Sequence, residues 1–262
     1  MAIFFLTVAK QHLGSPPALV TSLKGIWKKT RPLEKGMGKR TIDRFRQFEG
    51  DNLLDAYLAL PAKLMSLALK TGKVDVHSAK LVRMALFMAL LQDTAARSGN
   101  LTGLNLKTQI LNGTDRKNAS LFIVIAGSEV KNGVGIRTPL EPATAKIFRR
   151  YVDVYRGVHG DPASDWLFPR RDAKHWTTAQ AGADFKDCAL RHLGTVATPH
   201  LCRSLAGLAV LKQRPDAYPL VQQLLGHKRL ETTIAFYTHL EPDKVRAAYH
   251  AILHDRAKAR RL

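Results

Sequence analysis

The residues whose types and spacing could do chemistry gather in the last third of the chain. Thr198-Pro199-His200-Leu201-Cys202-Arg203 comes first. Leu224-Leu225-Gly226-His227 follows, then Thr232-Thr233-Ile234-Ala235-Phe236-Tyr237-Thr238-His239-Leu240. His200 and Arg203 stand three apart, so on a helix they share a face. Pro199 suits the first turn of such a helix. The helix N-terminus and the Arg203 guanidinium then form a local anion site. A guanidinium can fork onto two non-bridging oxygens of a phosphodiester. Gly226 is placed to end a helix, which leaves the His227 ring at an exposed corner. Tyr237 falls among threonines on the next short helix. A phenol near several cations and a phosphate is a candidate nucleophile, because the cations favour phenolate against its reference pKa of about 10. Taken singly, each feature has a plainer reading. A His-x-x-Arg pair arises by chance in so basic a chain, and a lone Tyr on an amphipathic helix is usually core or interface.

The elements that must position these residues read as follows. Residues 3–30 alternate apolar and basic positions and predict one or two short helices. The basic stretch from Lys28 to Arg40, broken by Pro32, Gly36 and Gly38, is a linker or a DNA-contacting loop. Thr41 to Thr71 is helical, restarted by Pro61 at a first-turn position. Val76 to Arg97 predicts a helix whose broad apolar face carries Leu81, Met84, Ala85, Met88, Ala89 and Leu91. Leu104 to Leu111 and the β-branched run Leu121 to Ile125 read as strands. Lys131-Asn132-Gly133 is a turn signal, and Val134 to Leu140 is the returning strand. Helices resume at Pro142–Tyr155, at Thr177–Leu193, from Pro199 onward, and between Pro242 and the basic tail Arg256 to Arg261. Trp166, with Leu167-Phe168-Pro169, reads as a core anchor under a loop. The fold class is α+β, mainly helical with a small antiparallel sheet.

The composition sets bounds on the partner. Lys and Arg number 41 against 21 Asp and Glu, a formal charge of +20. Such an excess repels itself unless something anionic shares it, so the partner is nucleic acid or an anionic membrane surface. No apolar run approaches the roughly 18 residues of a membrane span. Met1 to Leu6 lacks the basic leader and cleavage site of a signal peptide. Cys188 and Cys202 form no CxxC pair and read as small buried thiols. There is no P-loop and no paired-carboxylate metal site. The spacing of His192, His200 and Cys202 matches no usual zinc pattern, so no metal or cofactor is expected.

Taken in order, the set resembles the tyrosine recombinases, or phage-type integrases. Their signature runs Arg, hairpin Lys, His-x-x-Arg, Leu-Gly-His, Tyr. Leu224-Leu225-Gly226-His227 with Thr232-Thr233 and Tyr237 is the closest match, with Tyr237 ten residues after His227. The resemblance covers roughly residues 75–250. It implies that the first Arg ends a long helix ahead of the sheet, which selects Arg97. It also implies a Lys on the hairpin. Lys131 is preferred over Lys107 and Lys117, because it alone follows the β run and precedes the Pro139-Leu140 strand end. The implied catalytic set is Arg97, Lys131, His200, Arg203, His227 and Tyr237. In that set Arg97 and Arg203 clamp the phosphate and His227 is a third donor. Lys131 protonates the departing 5′ oxygen, His200 is base or relay, and Tyr237 forms a 3′-phosphotyrosyl link.

The implied partners are double-stranded DNA, further copies in a tetramer on two DNA sites, and accessory DNA-bending proteins. The implied setting is the bacterial cytoplasm, at the nucleoid. Residues 1–70 would be a short DNA-binding segment with linker, and 71–262 the catalytic domain. Two positions depart from the family pattern. Asn100 stands where an acid is common, three after Arg97, and Ser204 stands where His is common. The rival readings are a non-catalytic DNA-binding remnant, a type IB topoisomerase-like enzyme, and a basic RNA- or membrane-binding protein.

Overall fold

The computed structural model describes residues 2–11, 13–30, 39–113, 120–237 and 250. The chain forms two compact units, residues 1–37 and 38–262. The first contains helices α1 (Ala2–Gln11) and α2 (Pro17–Thr30), packed on each other. Gly14 turns the chain between them at φ +51, where any Cβ would be strained.

The second unit begins with α3 (Lys39–Arg46) and α4 (Asp51–Lys70), then α5 (Val76–Thr94). Pro61 does not restart a helix; it lies inside α4. Lacking an N–H, it leaves the Tyr57 carbonyl four residues back without its helical partner. Gln92 of α5 fills that vacancy, its Nε2 donating to Tyr57 O at 2.9 Å. The proline is tolerated because the neighbouring helix replaces the bond it removes.

α5 is the central element. Its N-terminus is closed by a reciprocal cap, in which Asp75 accepts from Ser78 N–H and Ser78 Oγ accepts from Asp75 N–H. The apolar face read from the sequence understates its burial. Val82, Leu86 and Leu90 are as enclosed as Met88, because neighbours cover the helix on nearly every side. It stops at Ala95, which takes the left-handed conformation at φ 46. The chain then leaves sharply through Arg97, the N-cap of the short α6 (Ser98–Thr102).

The sheet has three antiparallel strands in the order β1 (Ile110–Asn112), β2 (Leu121–Ile125), β3 (Ile136–Pro139). Ile123 pairs with Ile110 on one side and Thr138 on the other. Leu121, Ile123 and Ile125 alternate inward, as period-2 burial requires. The strand expected from Leu104 shrinks to three residues. The Asn105 side chain accepts from Lys107 N–H and Thr108 N–H at 2.8 and 3.1 Å, folding that segment into a turn instead. The β2–β3 connection is also longer than a tight Asn-Gly hairpin. It contains a 3₁₀ turn at Gly127–Glu129 before the Lys131 corner.

After α7 (Pro142–Arg150), one π-helical turn at Tyr151–Tyr155 leads into α8 (Arg156–His159). Arg156 fixes the following loop, donating to the carbonyls of Pro162, Ser164 and Trp166. Helices α9 (Thr178–Leu193), α10 (Pro199–Gln213), α11 (Tyr218–Leu225) and α12 (Leu230–Tyr237) complete the described unit. The helix expected after Pro242 lies outside the described residues.

The aromatic anchor of the core is Trp176 rather than Trp166. Trp176 packs 5.2 Å from Phe87 and carries the Arg83 guanidinium 4.2 Å above its ring. Trp166 is half-buried against His175. Both cysteines are buried free thiols, and burial pushes Cys188 up to about 11 and Cys202 up to about 12.

Candidate active site

Arg97, Lys131, His200 and Arg203 line one cavity of about 450 Å³, with Asn100, Gln109 and Glu129 on its walls. These side chains arrive on three different elements. The left-handed stop at Ala95 delivers Arg97. The β2–β3 corner delivers Lys131, and the first turn of α10 delivers His200 and Arg203.

α10 starts as its sequence predicts. Thr198 caps it by accepting from Leu201 N–H at 3.3 Å, and Pro199 opens the first turn. Arg203 is buried, and its guanidinium donates to the Ala95 carbonyl, joining α10 to the exit of α5. Burial and the charge of Arg97 bring the Arg203 value down to about 10. His200 is exposed at the rim, yet partial desolvation by the surrounding walls holds its ring below the ordinary histidine value, with Arg203 and Arg97 adding to that. Arg97 and Arg203 lie close enough to disfavour each other's charge, and a bound anion would offset that.

Glu129 is the carboxylate in the lining of this cavity. Its oxygens accept from Gln109 Nε2 at 2.9 Å and Ala126 N–H at 3.1 Å, so it is committed to the hairpin. Asn100, in the position where an acid was expected, donates to the Glu129 carbonyl at 3.2 Å. It therefore supports the hairpin that carries Lys131. On the other side, Asn132 Nδ2 donates to Gly226 O at 2.6 Å. Of the competing lysines, Lys107 is paired with Asp165 at 2.8 Å, and Lys117 lies outside the described residues.

His227 follows the left-handed Gly226 that ends α11, as read from the sequence. Its ring is half-buried rather than at an open corner, because Nδ1 bonds Thr233 Oγ1 at 2.9 Å across to α12. Burial, then Arg203, Arg97 and His200, holds it below the ordinary value. It thus lies within the field of the same cations without lining their cavity.

Tyr237 is placed apart. Its ring is fully buried, 6.0 Å from Phe45 and 5.4 Å from Phe236, and its hydroxyl donates to the Ser204 carbonyl at 2.8 Å. The ring lies on Gly207, where any Cβ would overlap the phenol oxygen. Burial raises its pKa, and the nearby Arg203 offsets only part of that. The stabilised phenolate expected from the sequence does not hold in this state, because desolvation outweighs the cation. Gly207, Phe45 and the Ser204 carbonyl went unread in the sequence. The one available signal was a glycine inside a helical run, which marks close packing. Among the described residues, no group of His, Cys, Asp and Glu is arranged to hold a metal ion, and no helix is long and apolar enough to cross a membrane.

The sequence matches the phage integrase family over residues 63–244. Comparison with curated proteins gave no match. Among solved structures, the XerH site-specific recombinase bound to palindromic difH substrate in a post-cleavage complex is similar, with a TM-score of 0.57 at 19% identity over 76% of this chain. The chain spans 51% of that protein's length. The pre-cleavage XerH complex with difH is similar at a TM-score of 0.53 and 16% identity, over 95% of this chain and 68% of the other. At these identities the likeness is one of fold.

Proposed function

The chain belongs to the phage integrase family, and from that membership we propose that it is a site-specific recombinase that cuts and rejoins double-stranded DNA through a 3′-phosphotyrosyl intermediate. The observation that carries this reading is the single cavity lined by Arg97, Lys131, His200 and Arg203. It has the charge and the donors that a phosphodiester needs, and the one carboxylate in its lining, Glu129, is held by Gln109 and the Ala126 N–H.

In the proposed reaction the scissile phosphate sits between Arg97 and Arg203. Their donors meet the charge that builds on the non-bridging oxygens, with His227 as a third donor. An opposite charge at about 4 Å contributes about 4 kcal/mol at an effective dielectric near 20, so two guanidiniums matter. Tyr237 leaves its slot over Gly207, and its phenolic oxygen attacks phosphorus while its proton passes to His200. The bond from phosphorus to the 5′ oxygen breaks, and that oxygen takes a proton from Lys131. In the reverse half, a 5′-hydroxyl from another strand attacks the phosphotyrosine and returns its proton to Lys131. Tyr237 then recovers its proton from His200. The linkage energy is retained in the phosphotyrosine, so no nucleotide is consumed.

On this reading residues 71–262 are the catalytic domain and 1–70 a short DNA-contacting segment. Four protomers assemble on two DNA sites, with DNA-bending proteins as accessories, at the bacterial nucleoid. Exposed Lys and Arg side chains contact the DNA backbone and set affinity rather than sequence preference.

The test is a pool of nicked duplexes with a randomised centre, incubated with the protein without metal. A covalent protein–DNA adduct formed by wild type and absent from Tyr237→Phe is the expected result. DNA binding without any adduct would leave a non-catalytic binding protein. Relaxation of supercoiled DNA by a lone protomer would favour the topoisomerase-like reading.

A further inference from the structure

We infer that Asn132 is a positioning residue for Lys131, tying the corner that carries the proton donor to the end of α11. This rests on the reading of the site given above.

Lys131 is an exposed, flexible side chain, so its backbone must be held if its ammonium is to meet one oxygen. The corner is a compact lobe. Val130 N–H bonds Gly127 O at 3.2 Å, and Gly133 N–H bonds Val130 O at 2.8 Å. Gly127 and Gly135 lie so close to the opposing backbone that no Cβ fits between them unstrained. Such a lobe can rock as one body on its two strands unless something outside holds it. Three side-chain ties do so, the first of them Gln109 Nε2 donating to the Glu129 carboxylate at 2.9 Å, ahead of Lys131. The Asn100 bond to Glu129 O, at 3.2 Å, is exposed and lies before Lys131 in the lobe. The Asn132 bond to Gly226 O, at 2.6 Å, is shorter and part-buried, and it joins residues 94 apart in the chain.

The Asn132 tie is specific to an amide. Gly226 offers a carbonyl, so only a donor can answer it, and this settles which way the Asn132 amide points. Its Oδ1 is buried with no partner among the described residues, so the geometry serves the donor side. Gly226 allows the approach, because at φ +54 and without a Cβ it leaves room that any other residue would close onto Asn132. Asn132 lines a second cavity with Arg97, Arg203 and Gly226, while Lys131 faces the first cavity alongside the same two arginines. The tie therefore borders the guanidinium pair and sets the corner relative to it.

The experiment uses a duplex recovered by covalent selection, made with either oxygen or sulfur at the bridging 5′ position. A thiol has a pKa of about 8.5, far below an alcohol, so the sulfur leaves without a proton donor. On the oxygen duplex, Asn132→Ala is expected to cleave about 10- to 100-fold slower, as a donor displaced by about 1 Å would. On the sulfur duplex it should come within about threefold of wild type, as Lys131→Ala should. The double variant should be no slower on oxygen than Lys131→Ala alone. Asn132→Leu keeps about the same shape and loses the N–H without placing a charge beside Arg97 and Arg203, so it should behave as Asn132→Ala does; it carries the comparison if the alanine variant does not fold. Equal slowing on both linkages, additive losses, or a wild-type rate for Asn132→Leu would each overturn the role. A wild-type protein that forms no adduct on any duplex would instead remove the reading of the site itself.

Discussion

Tyr237 shows how one side chain's surroundings decide its state. Its neighbours Gly207, Phe45 and Ser204 come from two other helices, so nothing in the local spacing around Tyr237 foretells that it is buried. What was legible locally was the geometry a short peptide can impose: Thr198 and Pro199 starting a helix, three-residue spacing bringing His200 beside Arg203, and Gly226 ending α11. The slot makes a direct prediction. Gly207→Ala gains about 0.5–1 kcal/mol of helix propensity, yet its methyl group must displace the phenol. The expected net result is a loss of about 1–3 kcal/mol, as for other overpacked sites. Tyr237 should also become reactive to nitration, which mass spectrometry of tryptic peptides would locate. An unreactive Tyr237 in a folded Gly207→Ala protein would show that the slot widens without releasing the ring.

Among the elements, the joint between α4 and α5 matters most for the site, because α5 ends where Arg97 begins. Pro61 read from the sequence as a helix start, since proline is at home there. The long-range partner that lets it sit mid-helix, Gln92, is visible only once the two helices are packed. The strand β2 was legible throughout, because its β-branched run is a local property. The segment before β1 was not, because the single side chain of Asn105 diverts the backbone from the ladder. A double-mutant cycle tests the joint. Gln92→Ala should cost about 1 kcal/mol in the native background, as for a typical hydrogen bond. In a Pro61→Ala background the cost should shrink, because residue 61 then supplies its own N–H to Tyr57 O. Equal costs in both backgrounds, measured by urea unfolding, would mean that Gln92 contributes something other than this bond.

For the molecule as a whole, a charge of +20 was the feature read most directly, and it named an anionic partner before any motif did. What it could not foretell is where burial sets charge aside. His159 is held down to about 4, first by burial and then by Arg83, Lys80 and Arg171. The sign follows from linkage. The unfolded chain takes up the proton near the ordinary value of 6.5, before the folded chain does. This part of the stability is therefore complete above about 6.5 and is lost as the pH falls toward 4. His192, His200 and His227 are also lowered and act in the same direction. Melting temperatures should fall between neutral pH and about pH 5, and His159→Gln should flatten the fall without abolishing it. A His159→Gln profile as steep as wild type would place the dependence on the other three.

The slot that holds Tyr237 also has a meaning in time. If Tyr237 is the nucleophile, as proposed, seating a phosphate and presenting the phenol become separate events, because the ring must first give up Phe45 and the Ser204 carbonyl. On the proposed function, a protomer that lands on the wrong sequence has an interval in which to let go while both strands are still whole. Fidelity would then come from waiting as well as from contact.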